Sequence, residues 1–406
     1  MASSLLSLLL VCFVFHINPP VSGRPSLPNA ISFPVTKDET TLQYTTQIHM
    51  GTPHSPIKLV VDLGGQFLWI HRASSFLSSS HKPISSGSLH CSMASSHQSG
   101  TVTRVVATNT ICSLNPENTI TKLATSGQLA EDIMAVDYVE KRKMGAIPTV
   151  HPFLFSCAPS VLTKGLASGA KGMLGLGRTK ISLPAQLANA FGLERKFSIC
   201  LSSSEGVIFS GGGGGGTDIS KSLMYTPLIS TPLEEYYIHV KSIKINSKRL
   251  SLNKSLFSTR ISTILPYTTM ESTSYDALAR AYIKAATSMN MTVVAPVAPF
   301  GVCFSSEGIE NTPVGPAVPA IDLVLQSEMV KWRIHGRNSM VRVSDAVMCL
   351  GFLDGGLTPV ASIAIGGYQL EENLLEFNLA TSMLGFSSSL LMRQRSCSNL
   401  KLSESQ

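Results

Sequence analysis

The sequence predicts a mainly β protein of two domains. Three observations carry this reading: apolar and polar residues alternate in short runs, Gly and Pro punctuate those runs, and helical periodicity is confined to two stretches. A chain of 406 residues, 44% of them hydrophobic, can bury two cores of ordinary size and does not have the composition of a disordered segment.

Taken in order, residues 5–15 are an apolar run that ends in Asn18-Pro19-Pro20-Val21-Ser22-Gly23, whose small residues suit cleavage. The usual positive charge before the run is missing, yet the pattern still reads as a secretory leader over residues 1–23. Residues 41–69 are strand-like: Gln43-Tyr44-Thr45-Thr46-Gln47-Ile48-His49-Met50 alternates, Gly51-Thr52-Pro53 turns, and residues 57–62 form a buried strand. Residues 74–99, rich in Ser and His, read as an exposed loop. Strand character returns at 128–136 and 152–156. Helices are expected at 184–191 and at 274–288, where Ala277, Leu278, Ala281 and Ile283 give an apolar face. The run Gly211 to Gly216 contains the pattern GxGxxG, but no helix follows to face a pyrophosphate, so it reads as a connection and not as a dinucleotide site. The domain boundary is placed near Lys221, giving 24–220 and 221–406.

No later apolar stretch approaches the roughly 20 residues that cross a bilayer, and the polar ending at 401–406 does not suit a lipid-anchor tail. The expectation is a protein without membrane association, extracellular and monomeric. Of the 8 cysteines, Cys12 leaves with the leader, so an odd number remains and one falls outside any set of bridges. An oxidising compartment favours bridging the others. Sequons begin at Asn253 and Asn290. The net charge of +7 makes anionic partners reasonable. Nucleic acid is not among them, because the basic residues are dispersed and not interleaved with aromatics. His81, His90, Cys91 and His97 have irregular spacing and no paired ligand motif, so the region reads as a surface loop without metal. Lys141-Arg142-Lys143 reads as a solvated turn. Trp332 and Ile334, alternating with Arg333, His335 and Arg337, read as a half-exposed strand; either could fringe a partner surface.

The most informative segment is Val61-Asp62-Leu63-Gly64-Gly65, in which an apolar strand delivers one carboxylate into a glycine turn. Gly172-Met173-Leu174-Gly175-Leu176-Gly177 and Ser362-Ile363-Ala364-Ile365-Gly366-Gly367 are apolar strands ending in glycine. With Ser262-Thr263-Ile264-Leu265-Pro266-Tyr267 and Ile321-Asp322-Leu323-Val324-Leu325, these segments make the chain resemble the pepsin-like aspartic proteases. Within them it is most similar to the plant subset of cereal xylanase inhibitors, xyloglucanase-inhibiting extracellular dermal glycoproteins and basic globulins. The resemblance implies a bilobal fold, two β-barrel-like lobes with a cleft between them, and a cell-wall location.

It also implies what has been lost. In an aspartic protease two carboxylates share one proton across a water, one acting as base while the other donates. Here Ser262 stands where the second acid belongs, and an alcohol cannot supply a carboxylate's base strength; the loss exceeds the roughly 10²–10⁴ assigned to acid–base assistance. Leu63 replaces a Thr whose hydroxyl helps hold the carboxylates, and residues 120–131, where the flap is expected, contain no Tyr. Asp62 itself then reads as a solvated or turn-capped carboxylate without a catalytic role.

Inhibitors of this subset close a glycoside hydrolase's cleft with loops of the second lobe. The matching loop here is Leu391-Met392-Arg393-Gln394-Arg395-Ser396-Cys397, from which Arg393 or Arg395 could pair with the two catalytic carboxylates of a glycosidase. A second loop has Pro313 where the relatives carry another residue, which bears on the target. The resemblance implies bridges Cys91 to Cys112, Cys200 to Cys397 and Cys303 to Cys349; Arg72 stands where the mate of Cys157 would be, which predicts a looser first lobe. The function implied is a secreted, proteolytically inactive homologue that inhibits a xylanase or a xyloglucan-specific endoglucanase and needs no cofactor. The alternatives are an aspartic endopeptidase with residual activity and a peptide-binding or storage-like globulin.

Overall fold

The computed structural model describes residues 30–71, 77–96, 110–136, 148–211, 219, 221–231, 235–252 and 257–400. The leader over 1–23, Arg72, His97, Lys141-Arg142-Lys143, the glycine run after Gly211 and Asn253 lie outside them.

The strand Ala30–Lys37 alternates inward and outward residues, placing Ile31, Phe33 and Val35 in the core. It pairs antiparallel with Glu205–Gly211 on one side and Tyr44–Met50 on the other. From there the ladder extends into a 14-stranded sheet that takes strands from both halves of the chain. Leu374–Asn378, close to the end of the described chain, returns to pair with Lys196–Cys200. Phe197 sits opposite Phe377 with rings stacked at 4.9 Å, and Tyr236 packs on Phe377 at 4.5 Å. The lobes are also tied by Glu371, 1% exposed, which accepts from Lys37 Nζ at 2.6 Å and from Tyr44 OH at 2.9 Å.

Each lobe repeats one three-strand motif. In the first, Gly172–Gly175 lies parallel to Ser55–Asp62 and antiparallel to Trp69–His71. In the second, Ile363–Ile365 lies parallel to Phe257–Ile261 and antiparallel to Thr268–Met270. The central strand must end in glycine because the neighbouring backbone passes so close: a Cβ at Gly175 would stand 2.5 Å from Phe67 O. This bilobal, mainly β architecture agrees with the sequence reading.

The expected helices form at Leu183–Phe191 and Ser272–Thr287. A further one, Leu89–Ser95, lies inside the segment read as an exposed loop. Ser88 caps it by accepting the Cys91 N–H, and the Cys91–Cys112 disulfide fastens it to the lobe, so a stretch with weak helical propensity holds its shape. No described helix is long and apolar enough to cross a membrane.

Candidate functional site

Asp62 ends its strand, and Ser262 directly follows the equivalent strand of the second lobe. Each backbone is bonded to the central strand of its own lobe or the residue just after it: Leu176 N–H donates to Asp62 O at 2.9 Å, and Ser262 N–H donates to Ile365 O at 2.9 Å. Their side chains also face their turns alike. Asp62 Oδ1 accepts from Gly64 N–H at 3.1 Å, and Ser262 Oγ accepts from the N–H groups of Ile264 and Leu265 at 3.2 and 3.3 Å. The two residues line one cavity of about 220 Å³, with Lys122, Glu235 and Arg260. An adjoining cavity of about 230 Å³ extends from Asp62 towards Phe67, Trp69 and Met173.

The solvated reading of Asp62 does not hold, for the carboxylate is only 3% exposed. A hairpin of Glu117–Asn118 with Leu123–Ala124 covers it, and Thr119 Oγ1 donates to Asp62 Oδ2 at 2.7 Å. This hairpin begins earlier than the flap segment read from the sequence, and it too contains no Tyr. Asn118, fully buried, shapes its tip by accepting from the N–H groups of Ile120 and Thr121 and donating to Leu162 O and Lys164 O. Trp69 Nε1 anchors its base on Glu117 O at 2.9 Å. Burial pushes Asp62 up to about 6, against the opposing hydrogen bonds from Thr119 and Gly64; the charge of Glu235 adds to the rise and that of Lys122 opposes it.

Below the Asp loop, Thr263 Oγ1 donates to Val61 O at 2.7 Å and accepts from Leu63 N–H at 3.0 Å, binding one lobe's turn to the other. Leu63 has no hydroxyl to return the bond, so the brace is one-sided.

Glu235 is a second carboxylate near Asp62, and sequence reasoning missed it along with Thr119, Lys122, Arg260 and the bracing role of Thr263. It is fixed by Arg260 Nη1 at 3.1 Å and by the hydroxyl of Tyr237, which donates to it at 3.2 Å. Burial, with the charge of Glu235, pushes Tyr237 up to about 12. A Cβ at Gly64 would lie 3.2 Å from Glu235 Oε1, so that carboxylate stands against the turn that carries Asp62 and lines the same cavity as Ser262. The centre therefore offers one buried acid, one alcohol and a carboxylate engaged by arginine. Among the described residues, the position of the second lobe that matches Asp62 carries the hydroxyl of Ser262, where a pair of acids sharing a proton would need a carboxylate.

The other predicted residues lie elsewhere. Arg393 ends the short 3₁₀ turn Leu390–Arg393, Arg395 follows it, and both are exposed. Pro313 is exposed at the tip of the hairpin Asn311–Thr312 with Gly315–Pro316. The two loops have neighbouring supports. Arg337 N–H donates to Val314 O at 2.8 Å, and the charge of Arg337 reaches Glu372, whose carboxylate accepts from Cys397 N–H at 2.9 Å and from Ser396 Oγ at 3.2 Å. Disulfides join Cys91 to Cys112, Cys200 to Cys397 and Cys303 to Cys349. Cys157 Sγ lies 3.8 Å from His81 Nε2. Asn290 is exposed just beyond the helix Ser272–Thr287. Among the described residues no group of three or more metal-ligating side chains converges, and Cys91 is held in its disulfide.

Residues 44–212 match the family Xylanase inhibitor N-terminal, and residues 235–388 match Xylanase inhibitor C-terminal. A probable aspartic proteinase of Nicotiana benthamiana is 44% identical, with 98% of each chain covered. Gamma conglutin 1 of Prunus dulcis is 41% identical over 94% of this chain and 91% of its own. Among solved structures, that of edgp superposes with a TM-score of 0.86 at 45% identity, covering 94% of this chain and all 100% of the other. Basic 7S globulin from soybean gives 0.82 at 35% identity, covering 92% and 99%. With both lobes matched and relatives aligned along nearly its whole length, the chain belongs to the xylanase-inhibitor family of pepsin-like proteins.

Proposed function

We propose that the protein is made with a cleaved leader over residues 1–23 and delivered to the extracellular space or cell wall. There, as a monomer with lobes 24–220 and 221–406, it inhibits a cell-wall-degrading glycoside hydrolase. The observation that carries this reading is the single buried acid: Asp62 faces Ser262 across a cleft built for two carboxylates, in a chain whose halves both match xylanase-inhibitor families. Arg393 and Arg395 support it, because they are exposed, make no ion pair among the described residues, and stand on a loop that Cys200–Cys397 fastens to the body. A guanidinium presented on so short a tether pairs with two carboxylates at little cost in ordering.

The test is inhibition of xylanases and of xyloglucan-specific endoglucanases by the purified chain. Arg393→Ala or Arg395→Ala should raise the inhibition constant by about 10²-fold or more, the cost of truncating one partner of a desolvated charge pair. Inhibition unchanged by both substitutions would remove the loop from the account. Residual endopeptidase activity is the competing reading, favoured by the proton that Asp62 keeps up to about pH 6; Ser262 stands against it.

A further inference from the structure

The second lobe carries a four-stranded sheet of Lys248–Arg249, Ser242–Ile245, Ile321–Val324 and Lys331–Ile334, in that order. Its inner face is apolar: Ile243, Ile245, Ile321, Leu323, Trp332 and Ile334 are all buried in the main core. The pleat sends their neighbours to the other side. There the register sets Arg249, Lys244, Asp322 and Arg333 in one row across all four strands, and Lys331 lies two residues from Arg333 on the same face. Lys241, at the edge of this face, is close enough for its charge to act on Glu328.

Five cations thus meet two carboxylates. Asp322 is only 1% exposed and is already taken by Arg333 at 2.6 Å and Lys331 at 3.5 Å. Glu328 is 59% exposed and reaches Lys244 at 2.5 Å, where an incoming carboxylate could take its place. Arg249 and Lys241 are exposed and make no ion pair among the described residues.

We propose that this face binds an acidic polysaccharide, a polymer with a carboxylate on each sugar. The inference rests on the extracellular reading above for its choice of partner, and on the row of cations for its chemistry. Arg249 and Lys244 stand on adjacent strands about 5 Å apart, and Arg333 lies about 10 Å beyond Lys244, across the strand of the buried Asp322, so an extended chain lying across the strands meets cations at both ends of the row. Nucleic acid suits the face less well, because none of the row is aromatic and Trp332 points into the core, leaving no platform for bases. A protein partner would need an aromatic or aliphatic anchor within the row; Val324, on the same side of the sheet, is buried, and the exposed Met329 lies in the turn beyond the strands.

The experiment measures binding of the full purified chain to polygalacturonate, with neutral xyloglucan and poly(dT) as comparison ligands, over a range of NaCl. Polygalacturonate should bind with an affinity that falls as salt rises, and xyloglucan should not bind at this face. Lys241→Ser, Lys244→Ser and Arg249→Ser together should weaken polygalacturonate binding about tenfold. Lys164→Ser, Lys171→Ser and Lys180→Ser remove the same charge from the first lobe and should leave binding nearly unchanged. Glu328→Gln should tighten it more than Glu307→Gln does. Equal loss in the two triple variants would reduce the effect to net charge and overturn the proposal, as would poly(dT) binding as tightly as polygalacturonate. These readouts involve no glycosidase, so their failure is distinguishable from failure of the inhibition assay.

Discussion

At Asp62 a carboxylate is kept from water by a hairpin, and its ionisation works against the fold. Since burial raises its folded-state value from the ordinary range to about 6, the protein is penalised where Asp62 is ionised in the native state but was already ionised in the unfolded chain. The stabilising proton is fully present below the unfolded value and is lost as pH rises through about 6. Asp62→Asn, which keeps an acceptor for Gly64 N–H or Thr119 Oγ1, should therefore stabilise the protein at pH 8 by up to about 3 kcal/mol and have almost no effect at pH 3. Urea unfolding at the two pH values measures it, and destabilisation at pH 8 would contradict this account. Thr119→Val removes the hydroxyl that holds the ionised form, so the Asp62 titration followed by NMR should move above about 6. A downward movement would show that the hydrogen bond is not what restrains it.

Among the elements, those that repeat local chemistry were legible in the sequence. Apolar strands ending in glycine identified Gly172–Gly175 and Ile363–Ile365, since only glycine lets the neighbouring backbone pass so closely. The helix Leu89–Ser95 was not legible, because a Ser- and His-rich composition conceals a cap at Ser88 and a clamp through Cys112. The hairpin over Asp62 was placed a few residues late: its short strands carry no strong alternation, and its tip is shaped by Asn118 through bonds to Leu162 and Lys164, far along the chain. The loop bearing Arg393 and Arg395 depends on a similarly distant tie, the Cys200–Cys397 disulfide, which spans 197 residues. Replacing both cysteines by Ser should cost about 2–5 kcal/mol of stability and weaken glycosidase inhibition beyond what the melting temperature alone explains. Inhibition retained in full by this double-Ser variant would mean that the loop needs no fastening.

On the scale of the whole molecule, the two lobes are more interleaved than a boundary near Lys221 suggests. Leu374–Asn378 is paired to Lys196–Cys200, and Glu371 is bonded to Lys37 and Tyr44. Such long-range pairing leaves no local mark in a sequence, and for the same reason the cleft was only half read. Asp62 and Ser262 announced themselves through their turns, whereas Thr119, Glu235 and Arg260 come from separate segments and meet only in three dimensions. What these pieces assemble is a cleft in which the buried Asp62 meets an alcohol at Ser262 and a glutamate already held by Arg260. The most direct measurement is hydrolysis of a fluorogenic peptide by the purified protein from acid to neutral pH, with and without pepstatin and beside Asp62→Ala. The account predicts no pepstatin-sensitive cleavage and no difference between the two proteins; cleavage that pepstatin blocks and Asp62→Ala abolishes would contradict it.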